Sequence, residues 1–69
     1  IQSVELQMTE AELNTNWRFQ AFLYRAYFDA HDIDGFNYSY TFPGMNRVLQ
    51  AAGLGVGRAG RASLASMVT

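Results

Sequence analysis

The sequence predicts a helix-dominated α+β fold that does not stand alone. Residues 9–30 contain no Gly or Pro and repeat apolar side chains with helical spacing, whereas residues 36–42 alternate aromatic and polar side chains as a strand does. A chain of 69 residues buries only about 60% of its unfolded surface, and this one has no cysteine for a disulfide or a thiolate metal site. Nearly half of the residues are hydrophobic. We therefore expect apolar surface that only a partner can cover.

The first predicted element is a short strand at residues 3–8. Val4, Leu6 and Met8 alternate with polar residues, which is typical of a strand with one buried face. Glu, Gln, Leu and Met also suit the start of a helix, so a helical turn is the alternative.

A long helix is predicted over residues 9–30. Thr9 and Glu12 form a T-x-x-E capping box at its start. On a helical wheel, apolar side chains cover more than half of the circumference, and Phe22 falls within the narrow polar stripe. Because a helix that is apolar nearly all round is normally a buried one, we expect cover on several sides. The polar stripe consists of Asn14, Arg18, Arg25 and Asp29.

A polar turn and a second strand are predicted after the long helix. Asp and Gly residues in 29–35 supply the local hydrogen bonds and positive φ angles that turns require. The strand follows at 36–42, and Pro43 and Gly44 end it. Its aromatic face consists of Phe36, Tyr38, Tyr40 and Phe42.

The last third of the chain is predicted to contain a short helix and a Gly-rich segment. The helix spans residues 45–52, with Gly53 as the residue that ends it in the left-handed conformation. We divide the chain into residues 1–53, which pack on a partner, and residues 54–69, a Gly- and Arg-containing segment with a short final helix at 62–69.

The acids around the only histidine raise the question of a metal site. Asp29, His31, Asp32 and Asp34 offer oxygen and imidazole ligands, but a calcium loop needs acids at positions 1, 3 and 5, Gly at 6 and Glu at 12. Placing Gly35 at position 6 leaves the two end positions without a carboxylate. We interpret the segment as a polar turn and predict no metal and no cofactor.

Catalysis is the second hypothesis for the same segment. His31 could act as a general base that Asp32 or Asp34 orients, with another chain supplying the remaining residues of an active site. Neighbouring residues in one turn seldom have that geometry, and no nucleophile is identifiable. His31 and Asp32 are therefore catalytic candidates only under this alternative.

Binding of nucleotides or nucleic acid is a third possibility. Gly55, Gly57 and Gly60 spell G-x-G-x-x-G, but a dinucleotide site needs a strand before the motif and a long helix after it. Residues 1–42 hold six acids and two arginines, whereas residues 43–69 hold three arginines and no acid. A weak nucleic-acid binder would use Arg47, Arg58 and Arg61, but three arginines spread this thinly argue against such a role.

The preferred prediction is a small non-catalytic chain of a larger hetero-oligomeric protein, either a subunit or a processed fragment. The first residue is Ile rather than Met, which fits the processed fragment. Its partners would be larger protein chains or copies of itself. No apolar run is long enough to span a membrane. Large aromatic side chains dominate interface energetics, so we predict the anchors to be Trp17, Phe19, Phe22, Tyr24, Phe28, Tyr38 and Tyr40.

Overall fold

The chain folds into three helices in a computed structural model, which describes residues 4–37 and 42–69. These are α1 (Glu10–Ala30), α2 (Met45–Ala51) and α3 (Arg58–Met67). α1 and α2 share the largest contact, and α3 touches both. Because the described residues contain no strand, the predicted α+β class is wrong, and this part of the chain is all-α.

One hydrophobic core lies between the three helices. It takes residues from all three helices and from the turn after α1, so the prediction that the chain is not an independent fold is also wrong. The Gly-rich segment 54–69 contributes to this core through Leu64 and Val68. The buried hydrophobic residues are Leu13, Ala21, Tyr24, Phe28, Phe36, Met45, Val48, Leu49, Leu64 and Val68.

α1 begins as its sequence predicts. The Thr9 hydroxyl accepts a hydrogen bond from the Glu12 N–H at 3.2 Å, and the Glu12 carboxylate accepts one from the Thr9 N–H at 2.9 Å. This capping box satisfies two N–H groups that the first turn would leave unpaired, and the bonds from the Thr9 backbone and hydroxyl lower the pKa of Glu12. The predicted bounds, 9–30, agree with the observed helix.

A kink interrupts α1 at Asn16, whose φ and ψ are −114° and 17°. The Asn16 side-chain amide donates to the carbonyl oxygen of Glu12 at 2.8 Å. A side chain that bonds the carbonyl four residues earlier competes with the helical backbone, which bends the helix. The first turns of α1 therefore run at an angle to the remainder.

α2 ends at the glycine that the sequence predicts. Gly53 has a φ of +77°. Its N–H donates to the carbonyl oxygen of Gln50 at 3.0 Å, and the Leu54 N–H donates to the carbonyl oxygen of Leu49 at 2.8 Å. These two bonds form a Schellman motif, in which the left-handed residue lets the chain turn back on the last carbonyls.

α1 ends in the same motif with an aspartate in the left-handed position. Asp32 has a φ of +54°. Its N–H donates to the backbone carbonyl oxygen of Asp29 at 3.3 Å, and the Ile33 N–H donates to that of Phe28 at 2.8 Å. A residue with a Cβ is strained in this conformation, and the Asp32 carboxylate lies at the negative end of the helix dipole. Both effects oppose the native turn.

Replacing Asp32 by Gly is therefore expected to raise the free energy of unfolding by about 0.5–1 kcal/mol, because Gly removes the strain and the unfavourable charge together. Urea denaturation followed by circular dichroism measures the change. Asp34→Gly serves as the control, since Asp34 has no positive φ, and it should give no gain. An Asp32→Gly chain no more stable than the parent would contradict this account of the turn.

The predicted strand at 3–8 is wrong for the residues that the structure describes there. Residues 4–8 form an irregular segment that crosses α1 and α2 and pairs with no other strand. Side chains take the place of a second strand: Gln20 bonds the backbone of Val4 and Leu6, and Arg47 donates to the Met8 carbonyl at 3.1 Å. We call residues 4–8 the N-terminal strap.

The predicted strand at 36–42 is also wrong where the structure describes it. Phe36 is buried in a turn, and the Asn37 N–H donates to the carbonyl of Asp34 at 3.2 Å. Phe36 meets the ring of Phe28 edge to face with centroids 5.0 Å apart, so burial of the aromatic ring requires no strand. The middle of this predicted strand, residues 38–41, lies outside the described residues.

α3 begins earlier than the predicted final helix at 62–69. Gly60 lies buried inside the helix, and a Cβ at this position would overlap the carbonyl oxygen of Gly55. The absence of a side chain lets the loop approach the helix backbone closely. Gly60 is therefore a packing residue.

The helices of the described residues are all too short or too polar to cross a lipid bilayer.

Candidate functional site

An exposed line of side chains follows α1 on the side opposite the core. Its members recur at alternating intervals of three and four residues, and all of them are exposed. Phe19 and Phe22 lie in its middle with 54% and 45% of their surface exposed. We call this line the outer seam, and it consists of Glu12, Thr15, Phe19, Phe22, Ala26 and Asp29.

Two neighbouring phenylalanines on one exposed helix face form an apolar patch. Leu23 adds partly buried apolar surface beside them. Single exposed apolar residues are common on protein surfaces, whereas adjacent ones often mark a contact site. Among the described residues, the other large exposed apolar side chains belong to different segments: Leu6, Ile33, Val56 and Met67.

The seven predicted anchors divide into four groups. Phe19 and Phe22 are exposed, and Trp17 is partly buried against the core. Tyr24 and Phe28 are buried inside the chain, with 1% and 6% of their surface exposed. Tyr38 and Tyr40 lie outside the described residues. The aromatic side chains that the described fold leaves open to a partner are therefore those of the outer seam.

Tyr24 and Phe28 are buried because they belong to an aromatic cluster. The ring of Phe42 stacks on Tyr24 with centroids 5.1 Å apart and on Phe28 at 5.6 Å. Tyr27 meets Phe42 edge to face at 5.1 Å. Such contacts add about 0.5–1.5 kcal/mol per pair beyond area burial, so the cluster fastens the segment before α2 onto α1.

The candidate catalytic residues lie together at the end of α1, and all are exposed. The His31 ring packs on Tyr27 with centroids 4.3 Å apart, and Asp34 accepts a hydrogen bond from the Asn37 amide at 2.7 Å. Across residues 4–37 and 42–69, no three His, Asp or Glu side chains are grouped so as to hold a metal ion. The hypothesis that His31, Asp32 and Asp34 complete an active site stays a prediction.

The three arginines of the nucleic-acid alternative lie in different surroundings. Arg47 donates to the strap, as described above, and Arg61 donates to the carbonyl of Phe36 at 3.1 Å. Arg58 is exposed at the first position of α3. The G-x-G-x-x-G segment follows the helix α2, whereas a dinucleotide site requires a strand there.

A groove of about 720 Å³ is lined by the N-terminal strap, α1 and α2. The Glu5 carboxylate lies in it and accepts hydrogen bonds from the Tyr24 hydroxyl at 2.8 Å and the Gly44 N–H at 2.6 Å. Burial, followed by the bond to Glu5 and its charge, raises the pKa of Tyr24. These hydrogen bonds hold the strap against α1 and the start of α2, so the groups in the groove have a structural role.

Gln20 makes a second structural connection that the sequence pattern did not reveal. Its side-chain amide donates to the carbonyl of Val4 at 3.0 Å, and its carbonyl accepts from the N–H of Leu6 at 2.8 Å. Only 2% of the residue is exposed. The available signal was its position on the wheel, where an amide lies on the apolar side of α1 beside Leu13 and Tyr24.

Comparison of the chain with protein-family models, curated proteins and solved structures gave no match.

Proposed function

We propose that this chain is a small non-catalytic component, either a subunit or a processed fragment, of a larger multi-chain protein, and that it docks through the outer seam of α1. The observation that carries the proposal is the exposure of Phe19 and Phe22 on the side of α1 that faces away from the core. The chain already has a core of its own, and neither ring belongs to it.

The free energy available at the seam supports a docking role. A phenylalanine buries about 150–250 Å² when fully covered, and apolar burial contributes about 25 cal/mol per Å². Covering the exposed halves of Phe19 and Phe22 therefore stabilises a complex by a few kcal/mol, on the order of 4. Rigid aromatic anchors of this kind dominate the energetics of many interfaces.

A protein fits the described surface better than nucleic acid. Four of the five arginines donate to backbone carbonyls within the chain, with donor–acceptor distances between 2.6 and 3.5 Å. Phosphate binding needs cations that project together from one surface. The outer seam has carboxylates at both ends, and these repel a polyanion.

Native mass spectrometry of the chain isolated from its source tests the proposal. We expect its mass within a larger complex, and we expect Phe22→Ser to release it because a polar residue then replaces an anchor. Val56→Ser is the matched control, since Val56 has the same 45% exposure outside α1 and should leave the complex intact. A chain found alone, or equal retention of both variants, would sink the proposal.

His31→Ala with Asp32→Ala, assayed in the complex, separates the catalytic alternative, which alone predicts lost activity.

A further inference from the structure

The outer seam has the spacing of a coiled-coil interface. Its residues follow one another at intervals of 3, 4, 3, 4 and 3, which is the a/d pattern of a heptad repeat. Apolar and small side chains occupy the middle of the seam, and a carboxylate stands at each end. Glu12 and Asp29 are 17 positions apart, which is about 25 Å in a straight helix at 1.5 Å per residue and somewhat less here because of the kink at Asn16.

The basic residues of α1 are directed away from these two carboxylates. Arg25 donates to the carbonyl of Ala65 at 2.6 Å, and Arg18 donates to that of Met67 at 3.5 Å. Both guanidinium groups thus lie at the C-terminal end of α3, where the helix dipole favours positive charge. The seam therefore presents negative charge at both ends of an apolar middle.

A second copy of this chain is a poor occupant of the seam. In an antiparallel pairing that sets Phe19 of one copy against Phe22 of the other, Glu12 faces Asp29 at each end. A parallel pairing sets each acid against itself. Like charges that face each other across a coiled-coil seam select against that pairing.

We infer that the outer seam binds an α-helix of a different protein, one with apolar side chains in its middle and Lys or Arg about five turns apart at its ends. This inference rests on the proposed docking function and adds the partner's chemistry. The rings of the seam supply binding energy, whereas its terminal carboxylates select a helix with cationic ends.

A charge reversal at one end of the seam tests this assignment without the natural partner. Asp29→Lys should convert the chain from a monomer into an antiparallel homodimer, because the introduced ammonium group of one copy then faces Glu12 of the other. The new positive charge lies in the last turn of α1, where it favours the helix. Analytical ultracentrifugation should show the dimer mass for Asp29→Lys and the monomer mass for the parent chain and for Asp29→Lys with Phe22→Ser.

Two synthetic helical peptides test the charge selection directly. They share a Leu- and Ala-based heptad seam of about five turns and differ only in carrying Lys or Glu at its two ends. Isothermal titration should show at least tenfold tighter binding of the Lys peptide. The chain with Glu12→Gln and Asp29→Asn should lose this preference while it keeps its fold, because Gln also completes a capping box.

The outcomes separate the inference from the proposed function. If both peptides bind equally and Phe22→Ser abolishes binding, the cationic partner is wrong and the docking surface stands. If neither peptide binds and Asp29→Lys stays monomeric, the seam is not a docking surface and both ideas fall.

Discussion

Gly60→Ala is expected to lower the free energy of unfolding by about 1–3 kcal/mol, the usual range for a side chain forced into a packed site. Helix propensity alone predicts the opposite, since Ala is about 1 kcal/mol better than Gly inside a helix. The new methyl group would overlap the backbone carbonyl of Gly55, which cannot move aside as the end of a flexible side chain can. α3 or the preceding loop must then shift, which disturbs the packing of Leu64.

Thermal and urea denaturation measure this effect, with a fall in melting temperature of about 4–8 °C per kcal/mol for a domain of this size. Gly57→Ala is the control, because a Cβ at Gly57 meets no atom within 4 Å and the change should be small. A stabilised Gly60→Ala chain would show that the loop does not lie against α3.

Tyr24→Phe is expected to destabilise the chain by about 1.5–3 kcal/mol at neutral pH, since the lost hydrogen bond has a charged acceptor. The aromatic ring stays in the cluster with Phe42, so the loss isolates the hydroxyl and its 2.8 Å bond to Glu5. Without this donor, the strap keeps the Gly44 N–H bond to the same carboxylate. Tyr27→Phe, which leaves the Tyr24 hydroxyl in place, is the matched control.

The raised pKa of Tyr24 also predicts how stability changes in alkali. Above the unfolded tyrosine pKa of about 10, the unfolded chain releases this proton while the folded chain keeps it. The unfolded state then binds fewer protons, so the free energy of unfolding falls by about 1.4 kcal/mol per pH unit. Urea denaturation at successive pH values above about 10 should approach this slope in the parent and in Tyr27→Phe. Its persistence in Tyr24→Phe would assign the effect to another group.

The exposed face of α1 was predictable in part. Phe22 lies within the polar stripe of the helical wheel, which placed an aromatic residue away from the main apolar face. The wheel does not show which of Phe19, Tyr24 and Phe28 are buried and which are exposed, because α1 is apolar around most of its circumference. Only the positions of α2, α3 and the turn after α1 decide that Tyr24 and Phe28 are covered and Phe19 is not.

The two strand predictions were wrong for a common reason. Alternation of apolar and polar side chains records which side of a segment is buried, but it does not supply the second strand that a sheet needs. For the strap, the side chains of Gln20 and Arg47, which are distant in sequence, bond its backbone, and its own Glu5 accepts bonds from Tyr24 and Gly44. For Phe36, an aromatic cluster supplies the burial.

By itself, the sequence determined the features that depend on neighbouring residues. These are the capping box at Thr9 and Glu12, the bounds of α1, and the left-handed stop at Gly53, each of which is completed within one or two helical turns. The tertiary structure alone decided the all-α fold of the described residues, the packing role of Gly60 and the exposure of Phe19 in the outer seam. These features depend on which distant segments meet, and local periodicity in a chain that is apolar on many sides leaves several such arrangements open.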